Sequence, residues 1–254
     1  MAPRSLGRHS LWGLTFPFCA GLLLSMSRDL TESLATCLLF AGILLIQRKR
    51  EWLGAVLLCL AALTRETALV YSALALAVGL WHHWRSRRAQ QPLGPRHYLF
   101  FAAPLVMYAL WQAALSAHWG DFGWSRRGVG FDWPGAAIAA FIRTSFATAT
   151  HEHVVWLIEL TFLGVFALAV LWTLRTLGGR LTREAAAWLG YGVFALTWSQ
   201  VVWREDWGYM RLLSEFLLLG TMLLLAAPFR LRVPVLAASL ALWLFLATDV
   251  VLYR

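Results

Sequence analysis

The sequence predicts an all-α fold, a polytopic membrane helix bundle of about nine transmembrane spans with the N-terminus inside and the C-terminus outside. Three observations predict it. The 254 residues are 60% hydrophobic and only 14% charged, a composition of membrane proteins rather than of soluble domains. Apolar runs repeatedly approach the roughly 20 residues needed to cross a bilayer. Basic residues recur in alternate short segments between those runs, which is the positive-inside pattern. The net charge of +9 therefore reads as topology and not as nucleic-acid binding. Lys49 is the only lysine beside 21 arginines. That bias fits a GC-rich bacterial coding sequence, so the expected setting is a bacterial inner membrane, with the lipid bilayer as the first partner.

The elements follow in order. Arg4 and Arg8 precede the apolar run Leu11–Met26, as in a signal peptide. No clear small-x-small cleavage site is present and more spans follow, so this run is read as an uncleaved first span, kinked at Pro17. Ser27–Glu32 is a short outer loop in which Thr31 can cap the next helix. The second span is Ser33–Gln47, and Arg48–Glu51 turns on the inner side. Trp52–Leu63 and Ala68–Trp81 are the third and fourth spans. His82–His97 is a basic inner loop with Pro92 and Pro95, and Tyr98–Ala117 is the fifth span.

Residues 118–153 form the longest outer region. Its later part, Pro134–Thr150, is small and apolar, too weak to span but suited to a helix lying in the interface. Val154–Leu174 is the sixth span and Arg175–Glu184 an inner turn with Gly178 and Gly179. Ala185–Trp203 is the seventh span, Arg204–Arg211 a tight charged outer loop, Leu212–Phe229 the eighth span and Val233–Leu252 the ninth. No second soluble domain or internal repeat is evident, and the chain reads as a single transmembrane domain over 1–254. Cys19, Cys37 and Cys59 lie in apolar runs without metal-type spacing.

The stretch Leu63-Thr64-Arg65-Glu66-Thr67 decides the topology. One helix from Trp52 to Trp84 would run roughly 50 Å, against a hydrocarbon core of about 30 Å. It would also put Arg48-Lys49-Arg50 across the membrane from Arg85, Arg87 and Arg88. A hairpin turning at Thr64–Thr67 keeps both basic runs on one side, although the turn has no Gly or Pro. The charges agree with this arrangement. Of the 22 Lys and Arg residues, 14 fall on the inner side: Arg4, Arg8, Arg48, Lys49, Arg50, Arg85, Arg87, Arg88, Arg96, Arg175, Arg180, Arg183, Arg230 and Arg232. Of the 13 acids, only Glu51 and Glu184 do.

The outer face gathers the reactive groups. Asp29 and Glu32, Arg65 and Glu66, Arg126 and Arg127, His151-Glu152-His153, and Arg204, Glu205, Asp206, Tyr209 and Arg211 all fall there. A carboxylate can act as general base toward an acceptor hydroxyl. An arginine offers paired donors to a phosphate. Each group also has a plain reading. Asp29 and Glu32 can mark a solvated loop, Arg65 and Glu66 a structural ion pair, and Arg204–Arg211 a charged turn. Glu159, Glu215 and Asp249 lie about one turn inside their spans and can reach the interface. His151 and His153 do not share a helix face and lack an evident third ligand, so no metal site is assigned.

The order of these features resembles that of integral-membrane glycosyltransferases of the C superfamily, the bacterial mannosyltransferase-like kind. The resemblance rests on the acidic loop Asp29–Glu32, the span ending in Arg48-Lys49-Arg50, Gly54–Arg65 (GAVLLCLAALTR), Ala61–Tyr71 (AALTRETALVY), and Tyr209-Met210-Arg211-Leu212-Leu213. It covers Leu11–Trp84 and Trp203–Leu225. It implies a polyprenyl-phosphate-sugar donor, inverting transfer at the outer face, and a base carboxylate in the first external loop. That loop is long in the family and precedes the region matched here, so the sequence is expected to lack the N-terminal span and first catalytic loop.

On this resemblance Asp29 or Glu32 is the candidate base. Arg65, Arg204 and Arg211 are candidate phosphate holders, and Glu66 and Asp206 position the acceptor or the arginines. No cofactor is assigned, and a divalent metal is compatible with the phosphate site. Two other classes stay open. A transporter or flippase of lipid-linked sugars would line a path with its charges. A non-catalytic or truncated membrane subunit would copurify with a larger partner.

Overall fold

The computed structural model describes residues 15–22, 31–88, 96–120, 131–145, 151–176, 182–204 and 206–253. The described residues are almost entirely helical. They contain no strand, only an isolated antiparallel bridge between Phe131 and Trp198. Helices α1 (Glu32–Gln47), α2 (Glu51–Thr64), α3 (Ala68–Arg88) and α4 (Arg96–Trp119) are followed by α5 (Ala136–Ser145), α6 (His151–Thr176) and α7 (Arg183–Leu196). The series ends with α8 (Gln200–Arg204), α9 (Asp206–Leu212), α10 (Ser214–Leu224) and α11 (Phe229–Tyr253).

Three described helices are long and apolar enough to cross a membrane: Tyr98–Trp119, His153–Thr176 and Arg230–Thr248. Helices α1, α2 and α10 are apolar but shorter. Only 11% of the apolar stretch in Tyr98–Trp119 is buried by protein. Val106, Leu110 and Trp111 face outward on it, as Val165, Leu168 and Trp172 do on α6. Apolar surface of this extent needs an apolar neighbour, which a bilayer supplies.

The chain divides into two compact units. One comprises 31–128 and 181–190, the other 1–30, 129–180 and 191–254. In the first unit α1 lies along α2, while α2 and α3 both pack on α4. Small residues let α1 and α2 close up. A Cβ added to Gly54 would lie 2.8 Å from the Gly42 carbonyl oxygen, and one added to Gly42 would lie 3.0 Å from the Gly54 oxygen. In membranes, where no hydrophobic force pulls helices together, such close backbone approach is a main source of association. In the second unit α6 carries α10 and α11, α5 packs on α8, and α8 on α9.

Helices stand where spans are expected for α1 to α4, α6 and α11, and of these α4, α6 and α11 contain the stretches long and apolar enough to cross a membrane. The outer interfacial segment contains α5. Two regions differ. The expected seventh span breaks after Leu196, because the amides of Asp132 and Gly135 donate to the carbonyls of Thr197 and Leu196, at 2.7 and 2.8 Å. These bonds engage acceptors that a continuing helix would use. Arg204–Arg211, expected as a loop, lies instead within the short helices α8 and α9 and the intervening residue. Tyr209 and Met210 are fully buried there, so apolar burial overrides the charged appearance of the segment.

Candidate functional site

Arg65 is placed by the backbone on both sides of it. Its amide donates to the Ala61 carbonyl at 2.8 Å, closing α2, and its carbonyl accepts from the Ala68 amide at 3.2 Å, opening α3. Its own backbone is extended, with φ −158° and ψ 129°. The chain therefore leaves helical geometry at the residue where the sequence demands a turn, without Gly or Pro. The Thr64 hydroxyl turns back to the Leu60 carbonyl at 2.7 Å, so it satisfies itself locally.

The Arg65 side chain is buried, and so is Glu32 at the start of α1. Arg65 Nη1 lies 3.6 Å from Glu32 Oε1, an ion pair wider than a hydrogen bond. Nη1 makes no hydrogen bond among the described residues. A guanidinium nitrogen that is buried and not hydrogen-bonded is costly unless something else meets it. Glu66, the next residue, is exposed. The first turn of α3 is held by Leu69 and Val70, whose amides donate to the carbonyls of Glu66 and Thr67. The expected cap of α1 by Thr31 does not form. Thr31 sits in helical conformation without a side-chain cap bond, and only its carbonyl accepts, from Ala35 at 2.9 Å.

Of the residues singled out in the sequence, the structure thus brings Glu32 and Arg65 together, with Glu66 beside them in the chain. Asp29 lies outside the described residues, as do Arg126, Arg127 and Glu205. Arg204 and Asp206 are placed at the end of α8 and the start of α9, and their side chains lie outside the description. Arg211, in α9, is half-buried, and its carbonyl accepts from the Ser214 hydroxyl. Arg204, Asp206 and Arg211 belong to the unit that does not contain Glu32 and Arg65. No group of three His, Cys, Asp or Glu side chains able to hold a metal occurs among the described residues.

Two further carboxylates are buried where the sequence allowed them to reach the interface. Glu159 on α6 and Glu215 on α10 are fully covered. Glu159 accepts a hydrogen bond from the Tyr209 hydroxyl. Tyr209 stacks on Trp203 with ring centres 4.9 Å apart and meets Trp156 edge-on at 6.3 Å. Both indoles are anchored, Trp156 Nε1 to the Trp203 carbonyl at 3.1 Å and Trp203 Nε1 to the Ala195 carbonyl at 3.3 Å. The cluster is closely packed. The sequence signal for it was present in the aromatic spacing of Trp203 and Tyr209, but nothing local linked that spacing to Glu159, 50 residues away.

Compared with known protein families, with curated proteins and with solved structures, the chain matches none. The assignment of function therefore rests on the residues themselves.

Proposed function

We propose that this chain is a multi-pass membrane glycosyltransferase of the C-superfamily type, taking a sugar from a polyprenyl-phosphate donor at the outer face of a bacterial inner membrane. The bundle has about nine spans, with the N-terminus inside and the C-terminus outside. The observation that carries the reading is the buried, loosely paired guanidinium of Arg65. A charge at bilayer depth costs roughly 2.5–3.5 kcal/mol on insertion scales and is kept where it meets a partner or a ligand. A planar guanidinium with donor capacity left over is suited to a phosphodiester or phosphate.

In this reading Arg65 binds the donor phosphate. Glu32 lies beside it as orienting carboxylate or base, and Glu66 stands at the exposed edge to meet the acceptor. Asp29 is the alternative base, and Arg204, Asp206 and Arg211, which belong to the other compact unit, keep only the phosphate and acceptor roles that the resemblance implies. The transporter reading is less well supported. Glu159 is fully buried and accepts from the Tyr209 hydroxyl, where a transport path would leave it open to water.

The test is sugar transfer in membranes from cells expressing the full chain, with a radiolabelled polyprenyl-phosphate sugar. Arg65→Ala is expected to abolish transfer while the protein still inserts. Transfer at the wild-type rate removes Arg65 from the mechanism.

A further inference from the structure

The opposite end of the α1–α2 pair carries a second candidate site. A cavity of about 300 Å³ is lined by Ile43, Ile46, Gln47, Lys49, Glu51, Tyr71, Arg183 and Glu184. That is the lower end of the range for small-molecule sites. Its lining belongs wholly to one compact unit.

The walls are fixed from several directions. Gln47 Nε2 donates to Glu184 Oε1 at 2.9 Å, tying the end of α1 to the start of α7. Thr182 caps α7 by accepting from the Ala185 amide at 3.1 Å. The Arg183 guanidinium lies over the Phe101 ring at 4.9 Å, and the Tyr71 ring meets the same Phe101 edge-on at 6.2 Å. Tyr71 is 2% exposed. Its hydroxyl lies within electrostatic reach of Glu184 and Arg183.

Lys49 supplies an independent observation. The turn after α1 closes in the Schellman pattern, with the Lys49 amide on the Ile46 carbonyl at 3.0 Å and the Arg50 amide on the Leu45 carbonyl at 2.9 Å. The residue between must be left-handed, and Lys49 has φ +64°. Glycine is the ordinary occupant of that position. A lysine there carries strain of the kind that collects at functional sites, and its side chain lines the cavity.

The charges define the ligand. Two cations, Lys49 and Arg183, share the cavity with two carboxylates, Glu51 and Glu184. The lining is complementary to a molecule carrying both signs. Two helices, α2 and α7, begin at this cavity, and their N-termini add partial positive charge. Lys49, Arg183 and Tyr71 can all donate into the cavity, and the tetrahedral oxygens of a phosphate meet donors from more directions than a planar carboxylate does.

We propose that this cavity binds a phosphoethanolamine-type zwitterion, its phosphate held by Lys49, Arg183 and the Tyr71 hydroxyl and its ammonium by Glu51 and Glu184. Phosphatidylethanolamine of the surrounding leaflet and a free phosphoethanolamine share this chemistry. On the orientation proposed above, this end faces the cytoplasm. The site does not depend on the assignment of sugar transfer.

The test is native mass spectrometry of the full chain released from mixed micelles of phosphatidylethanolamine and phosphatidylcholine at equal concentration, with soluble phosphoethanolamine as competitor. Choline has no N–H to give a carboxylate, so a preference for ethanolamine reads the ammonium contacts directly. Wild type is expected to retain the ethanolamine lipid about tenfold over the choline lipid, the scale of one charge-assisted hydrogen bond. Lys49→Gly suits the left-handed backbone, so it keeps the fold while the retention falls by a similar factor. Glu51→Gln keeps phospholipid bound and loses the preference for the ethanolamine lipid over the choline lipid. Displacement by soluble phosphoethanolamine identifies the headgroup as sufficient, and retention of the lipid without displacement identifies the bilayer as the source. Absence of both ethanolamine preference and phosphoethanolamine binding overturns the proposal. So do equal retention in Lys49→Gly and displacement by glycine as effective as by phosphoethanolamine.

Discussion

At the scale of single residues, Glu32 and Arg65 depend on each other. Removing one member of a buried ion pair leaves a charge without its partner and costs about 3–5 kcal/mol, whereas replacing both is often nearly neutral. Arg65→Ala alone is therefore expected to lower the melting temperature of the detergent-solubilised protein. Glu32→Gln with Arg65→Met is expected to recover most of the loss while staying inactive in transfer. Additive losses in the double variant would mean that the two side chains do not interact. This pair was partly legible in the sequence. Arg65 and Glu32 stood out as charges at the edges of apolar runs, but the pairing on offer was Arg65 with Glu66. Neighbours in a turn diverge, while Glu32, 33 positions earlier, is brought back because α1 and α2 run side by side. Only the packing of two helices decides between those partners.

At the scale of elements, helix–helix approach explains what the sequence could and could not disclose. Helices α1 to α4, α6 and α11 announce themselves by long apolar runs ending in charges. The Gly42–Gly54 contact does not, because the two glycines lie 12 positions apart in separate helices. Gly54→Leu is expected to force α1 from α2, at a cost of about 1–3 kcal/mol for overpacking, read as a lowered melting temperature. The same substitution at Gly164, where an added Cβ meets nothing, is expected to leave it unchanged. An equal effect at both positions would show that the helix contact is not the cause. The broken seventh span was beyond sequence reasoning for a related reason. Leu196 and Thr197 look like ordinary span residues, and the interruption comes from amides of Asp132 and Gly135 in a distant segment. Arg204–Arg211 misled in the other sense, since its charges disguised the buried Tyr209 and Met210.

At the scale of the whole molecule, the fold gives the α1–α2 pair two different ends, with Glu32, Arg65 and Glu66 at one and Lys49, Glu51 and the cavity at the other. The proposed topology puts the first outside. With Cys19, Cys37 and Cys59 replaced by Ser, a cysteine at position 66 is expected to react in intact cells with a membrane-impermeant thiol reagent. One at position 50 is expected to react only after the cells are opened. Labelling of position 50 in intact cells would invert the orientation. The central claim is that Arg65 holds a lipid-linked phosphate, and its most direct test is binding of polyprenyl phosphate to the purified full chain. Wild type is expected to bind, and Glu32→Gln with Arg65→Met to lose about tenfold or more in affinity while remaining folded, as the loss of a charge-assisted phosphate contact requires. Equal affinity in the two proteins would contradict the account.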